Sequence, residues 1–216
     1  PGQSPRVRRF VLGISGASGA ACSLRLLELL LQLGHEVHVV VTEYGRRLLF
    51  DEARIAHLDF AYLCPNIADA RASERLILHP NKDVGASIAS GSFLHDGMVV
   101  LPCSSSALAY IATGSGNNLL ARAAMVTIKE RRPLILCHRE TPLSLIDIEN
   151  MKQLTLAGAI ICPTNPGFYL LPKTVEDLVD FMVGKVLDLL KVEHDLKIRW
   201  AEHGSEGVKD RGPADR

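Results

Sequence analysis

The sequence predicts a three-layer α/β fold on a doubly wound parallel sheet. Three observations lead there: compact apolar runs such as Val37-His38-Val39-Val40-Val41, helical runs with leucines at three- and four-residue spacing, and small or polar residues at the junctions. Runs this short and apolar suit strands covered on both faces. A strand–helix–strand order then requires parallel pairing through a right-handed crossover.

In chain order, residues 1–7 read as a loose leader. Phe10 to Ile14 is a first strand, running into the turn Gly13-Ile14-Ser15-Gly16-Ala17-Ser18-Gly19. Ala20 to Leu33 carries Leu24, Leu27, Leu30 and Leu31 at helical spacing, and Gly34 stops it. After the Val37–Val41 strand, Tyr44 to Ala53 is predicted helical, whereas 55–80 shows no period that assigns it. Met98 to Pro102 is a buried strand leading into Cys103-Ser104-Ser105-Ser106. Leu119 to Arg132 is a helix closed by Pro133, Leu134 to Cys137 a strand, and Leu145 to Leu156 a helix. Ala159 to Pro163 is the last strand and Val175 to Leu190 the last long helix. Beyond Trp200 the chain turns polar, and 204–216 is predicted to be a disordered tail. With no repeat and no change of pattern, 1–216 is read as one domain.

Composition narrows the function. Lys+Arg and Asp+Glu balance at 24 each, so no global field draws nucleic acid or an anionic membrane. With 47% hydrophobic and 5% aromatic residues, the core should be aliphatic. The five cysteines (Cys22, Cys64, Cys103, Cys137, Cys162) are scattered, which predicts reduced, mostly buried thiols and a cytoplasmic protein. No apolar run approaches the roughly 18 residues of a membrane span, and no signal peptide opens the sequence.

In such sheets ligands bind at the carboxyl ends of strands. Those segments are Ser15 to Gly19, Thr42, Cys103 to Ser106, His138 to Pro142 and Pro163 to Tyr169. Glycines that admit a close backbone, helix N-terminal amides and neutral hydroxyl donors together suit a phosphate. The glycine turn lacks the dinucleotide, P-loop and Gly-x-Ser-x-Gly spacings. The alternative is a tight strand-to-helix turn needing only small residues. Arg122 and Lys129, seven apart, share one helix face. Arg131 and Arg132 read as cations opposing a helix dipole. Arg139-Glu140-Thr141-Pro142, directly after a strand, reads either as a site or as a solvated loop. No His/Cys/Asp cluster has metal spacing, and Ser104 has no recognisable His/Asp pair, so neither a metal nor a triad is expected.

The segments Gly13 to Ala20, Ala89-Ser90-Gly91-Ser92, Leu101-Pro102-Cys103-Ser104, Leu120-Ala121-Arg122-Ala123-Ala124, Lys129-Glu130-Arg131-Arg132-Pro133-Leu134, Arg139-Glu140-Thr141-Pro142 and Pro166-Gly167-Phe168-Tyr169 together resemble the UbiX/Pad family of flavin prenyltransferases. The likeness runs from about Arg8 to Trp200 in one order. It implies a flavodoxin-like or Rossmann-like homo-oligomer, commonly a dodecamer, with sites at subunit contacts. The implied reaction joins dimethylallyl monophosphate to reduced FMN at N5 and C6 without a metal. Its product, prenylated FMN, serves UbiD-type decarboxylases.

Carried over by position, the resemblance gives FMN contacts to Gly16, Ala17, Ser18, Thr42, Ser104, Ser105, Ser106, Ala107 and Arg139, with Trp200 shielding the site. Ser90, Gly91, Arg122, Lys129, Glu140, Tyr169 and Lys185 would surround the isoprenyl phosphate, and Glu52 falls where the family has an acid near the flavin. Glu140, Ser18, Lys129 and Glu52 are thereby the catalytic candidates. Lys185 replaces an Arg, keeping charge but losing bidentate geometry, and Glu43 replaces a common Lys. Cleaving an allylic C–O bond leaves a phosphate dianion, which a cage of Arg122, Lys129 and Lys185 would stabilise. Glu140 would carry a proton to phosphate if its pKa is raised, against which its neighbour Arg139 works. Tyr169 and Trp200 would face the allylic cation, and Ser18 would assist proton movement at the flavin. Two alternatives are a flavin-dependent cysteine decarboxylase of the related fold and a non-catalytic flavin carrier. The first expects a Pro-Ala-Ser-Ala-Asn-Thr-like stretch where this sequence has Pro163-Thr164-Asn165-Pro166-Gly167. The second has no use for Arg122, Lys129, Glu140 and Tyr169 together.

Overall fold

The structure, a computed structural model, describes residues 6–196. Six strands form one sheet: β1 (Arg9–Ile14), β2 (Glu36–Val41), β3 (Leu76–Pro80), β4 (Met98–Cys103), β5 (Leu134–His138) and β6 (Ile160–Ile161). All five pairings are parallel, in the order β3-β2-β1-β4-β5-β6. Of the two architectures the sequence allowed, this is the Rossmann order. It reverses between β1 and β4, where a crevice opens at the carboxyl edge.

Seven α-helices cover the sheet: α1 (Ala20–Gln32), α2 (Glu43–Ala53), α3 (Phe60–Leu63), α4 (Ser105–Thr113), α5 (Leu119–Lys129), α6 (Leu145–Leu156) and α7 (Val175–Leu189). Alternate strand residues feed two separate cores. Phe10, Leu12 and Ile14 pack with Leu26, Leu30, Val183 and Leu187 beneath α1 and α7. Val11, Val40 and Val100 pack with Leu108, Leu120 and Leu154 beneath α4, α5 and α6. This double burial explains why the central strands read as unbroken apolar runs.

Helix starts are fixed by local chemistry. Thr42, Asp59, Ser104, Asn118, Ser144 and Thr174 each accept a backbone N–H of the first turn they precede. Four elements differ from the sequence reading. β3 lies inside the unassigned 55–80 because it is an edge strand, only partly buried throughout and ended by Pro80. α4 follows Ser104 directly: the serine run, to which the sequence reading gave no element, is a cap plus a first turn, and Gly114 closes the helix in the left-handed conformation at φ 72°. α5 ends at Lys129, three residues early, because Arg131 turns left-handed at φ 57°. β6 is regular strand only over Ile160–Ile161, although the Cys162 and Thr164 amides still donate to the Leu136 and His138 carbonyls of β5 at 2.9 and 3.2 Å. All five cysteines are free and buried, and among the described residues no helix is long and apolar enough to cross a membrane.

Candidate active site

The turn after β1 is clamped onto β4. Ser15, 1% exposed, donates its hydroxyl to the Pro102 carbonyl at 2.9 Å and accepts the Ser104 N–H at 2.8 Å. Both hydroxyl functions point inward, so Ser15 is a clamp rather than a ligand. Gly16 has to be small, since a Cβ there would lie 2.4 Å from Tyr44 Cβ. Gly45 lets α2 approach even closer: a Cβ would meet the Ile14 carbonyl oxygen at 2.4 Å.

These close approaches shape a cavity of about 370 Å³ at the β1/β4 reversal, lined by Ser15, Gly16, Thr42, Ser104, Ser106, Ala107 and Asn118 among others. Thr42 and Ser104 each accept an amide as caps, from Gly45 at 3.0 Å and Ala107 at 3.1 Å, which leaves each hydroxyl proton to donate outward. Ser106 adds a third hydroxyl. The first turn of α4 contributes amides of Ser105 and Ser106 that have no intrahelical acceptor. Among the described residues, the single charged one lining the cavity is Glu43. Neutral donors backed by a helix N-terminus are a fitting cradle for a phosphate, and hence for a phosphorylated flavin.

The start of α1 is built differently. Glu52, from the end of α2, accepts the Ser18 hydroxyl at 2.8 Å and the amides of Gly19 and Ala20 at 3.0 Å each. Partial burial pushes its carboxyl up. The two amides, the Ser18 hydroxyl and the nearby Arg139 cation outweigh that, and its pKa lies below the usual range. The anion place at this helix end is therefore taken by the protein itself. Ser18 and Glu52 form one hydrogen-bonded unit beside the cavity, facing Arg139. Arg139 Nη1 lies 3.9 Å from Glu140 Oε1, and that carboxylate accepts the Thr141 N–H at 2.9 Å.

The remaining candidates lie apart. Arg122 and Lys129 are exposed on α5, on the face opposite α7, which carries exposed Lys185. Lys129 ends α5 at the amino edge of the sheet, where a Cβ on Gly91 would lie 3.4 Å from its Nζ. Ser90 and Gly91 belong to this edge, held by Arg132, which donates to the Gly91 and Phe93 carbonyls at 2.7 and 2.8 Å. Arg132 is thus a loop tether, a correction to its reading as a dipole partner. Lys185 lies within electrostatic reach of Cys162, and the Tyr169 ring packs edge-on against Phe181 at 5.8 Å. One copy of the chain therefore does not assemble the expected Arg122–Lys129–Lys185 cage: its members sit on two faces and two edges. Trp200 lies outside the described residues.

The comparisons bear on this geometry. The Flavoprotein family matches residues 2–187. A flavin prenyltransferase UbiX of Halalkalibacterium halodurans is 44% identical over 193 residues, covering 89% of this chain and 93% of that protein. The chain belongs to the UbiX flavin prenyltransferase family. Among solved structures, AnUbiX (PadA1) in complex with FMN and dimethylallyl pyrophosphate superposes with TM-score 0.82 at 37% identity, over 91% of this chain and 98% of that one. A dodecameric FMN-dependent UbiX-like decarboxylase from Escherichia coli O157:H7 gives 0.80 at 37% identity, over 89% and 99%. The rival cysteine decarboxylases share the fold alone: TvaF from thioviridamide biosynthesis superposes at 0.57 with 13% identity, over 85% and 98%.

As a flavin prenyltransferase, the chain carries features its sequence did not disclose. Asn81 accepts the Leu119 and Leu120 amides through its carbonyl and side chain, at 2.8 and 3.1 Å, and so fixes the start of α5 from a distant loop. Ser105, expected at the ligand, is turned away: its hydroxyl lies 3.1 Å from His138 Nε2 and hydrogen-bonds Asp147. The spacing Ser144-x-x-Asp147 signals the capping box that holds Asp147, but nothing in the sequence links it to Ser105.

Proposed function

We propose that the protein transfers a dimethylallyl group from dimethylallyl monophosphate to reduced FMN, and that UbiD-type decarboxylases receive the product. The observation that carries this is the phosphate cradle at the β1/β4 reversal, in a chain 44% identical to a flavin prenyltransferase. Thr42, Ser104, Ser106 and the first turn of α4 hold the flavin phosphate. Gly16 and Ala17 admit the ring system, which extends toward Ser18, Glu52 and Arg139. Bound reduced flavin supplies the nucleophile that takes the allylic carbon. Around it, Ser18 relays a proton under the control of Glu52, and Glu140 delivers one to the departing phosphate. Arg139 stays beside both carboxylates and helps to hold Glu52 ionised.

Because Ser90, Gly91 and Lys129 sit at the opposite edge of the sheet, the isoprenyl phosphate site is completed across a contact between copies. A homo-oligomer, a dodecamer like the Escherichia coli relative, is part of the proposal. So are a single flavin-binding domain and a cytoplasmic location. The test is transfer of product. The protein is incubated anaerobically with reduced FMN and either the monophosphate or the diphosphate of dimethylallyl alcohol, and the protein-free filtrate is added to an apo UbiD-type decarboxylase. Recovery of decarboxylation with the monophosphate arm supports the reading. Recovery with the diphosphate alone would reassign the donor, and none with either would remove the recipient.

A further inference from the structure

Three elements meet behind the first turn of α4. Ser105 comes from that turn, His138 is the last residue of β5, and Asp147 sits in the first turn of α6. The His138 side chain is 2% exposed and that of Asp147 is 8% exposed. His138 Nε2 lies 3.1 Å from Ser105 Oγ and 3.8 Å from Asp147 Oδ1, while Asp147 Oδ2 accepts the Ser144 amide at 3.0 Å and the Ser144 hydroxyl at 2.7 Å. The Ser105 hydroxyl has one proton, and it goes to the Asp147 carboxylate. Nε2 then faces two acceptors, so it carries the imidazole proton and gives it to Ser105 Oγ. Burial pushes the His138 pKa down, against the pull of Asp147 and Glu140, so the ring is neutral.

This is not a hydrolytic triad. The carboxylate and the serine share one ring nitrogen, and the serine proton is already on its way to the carboxylate, so the imidazole cannot act as its base.

We propose that His138 and Asp147 are positioning residues that hold Ser105 as a strut, fixing the first turn of α4 as the anion-binding end of the flavin site. The inference rests on the phosphate placement proposed above. With its hydroxyl committed inward, Ser105 contributes to the ligand only through its backbone amide. The strut sets where that amide and the amide and hydroxyl of Ser106 stand. Since Arg139 and Glu140 directly follow His138, the same strut anchors the loop that carries them.

The test compares FMN with riboflavin, which lacks the phosphate, as probes of the full-length protein. Dissociation constants are measured for the wild type, Ser105→Ala, His138→Gln, Asp147→Asn and the Ser105→Ala/Asp147→Asn double variant. Ser105→Ala and Asp147→Asn should each weaken FMN about tenfold, the size of one lost hydrogen bond, and leave riboflavin within about twofold. The double variant should be no worse than either single, because both remove the same interaction. His138→Gln, which keeps a donor near the Nε2 position, should fall between them and the wild type. Asp147→Asn with unchanged FMN affinity, or additive losses, would overturn the strut and leave Ser105 as a direct ligand. Equal losses for FMN and riboflavin would reduce the cluster to a general structural role. Equal affinity of the wild type for both flavins would instead sink the phosphate placement, and the strut with it. A nitrogen-15 spectrum of His138 checks the arrangement without any variant: the Nε2–H tautomer is expected, and the Nδ1–H tautomer contradicts it.

Discussion

Glu52 decides what the glycine turn after β1 can do. Its carboxylate occupies the helix end that a phosphate would otherwise take, and it holds the Ser18 hydroxyl in place. The sequence made the turn legible as small and anion-friendly, but the occupant comes from 33 residues away, where no local pattern points to it. Glu52→Ala removes a cap and should cost about 1 kcal/mol in urea unfolding at neutral pH. A carboxylate with a depressed folded pKa adds stability above its unfolded value and loses it as pH falls through the folded one. The difference between wild type and Glu52→Ala should therefore shrink on acidification below pH ~4. A constant difference would mean that packing, not charge, is responsible. At Glu140, Glu140→Gln should lower kcat about 100-fold while FMN affinity, measured by fluorescence quenching, stays within about twofold. Undiminished turnover would take Glu140 out of proton delivery.

At the scale of elements, the close approach of α2 to β1 shapes the cavity proposed to hold the flavin phosphate. Gly45→Ala places a Cβ 2.4 Å from a carbonyl oxygen that belongs to β1 and cannot swing away. It should destabilise the fold by about 1–3 kcal/mol and weaken FMN binding, seen as a lower thermal midpoint and a higher Kd. An unchanged midpoint would mean that α2 is free to shift. The central strands β1, β2, β4 and β5 were legible because burial on both faces makes them continuously apolar. Edge strand β3 and helix α4 were not. Partial burial broke the pattern of β3, and three serines hid a cap and a first turn inside what resembles a loop. The residues of the β1/β4 crevice could be read by position along the strands. The contact of Ser105 with His138 and Asp147 could not, because it depends on α4 packing against β5 and α6, which has no sequence signature.

For the whole molecule, buried neutral histidines set the acid limit. Burial and the Arg132 cation lower the His95 pKa to about 4, against the Gly97 amide and Asp96, and His35, His38, His79 and His138 are lowered as well. The unfolded chain then binds more protons than the folded one between about pH 6.5 and 4, so stability must fall as pH drops through that window. The urea midpoint should decline steadily from pH 7 to pH 5, and a flat midpoint would contradict the buried neutral state. If the proposed site is right, the separation of Lys129 from Glu140 within one copy requires assembly for turnover. Light scattering should give twelve chains per particle, and a monomer with full turnover would contradict a shared site. The most direct test of the account is the mass of the flavin. After anaerobic incubation with reduced FMN and dimethylallyl monophosphate, the released flavin should be heavier by one C5H8 unit. Unmodified FMN from a protein demonstrably loaded with flavin would contradict prenyl transfer itself.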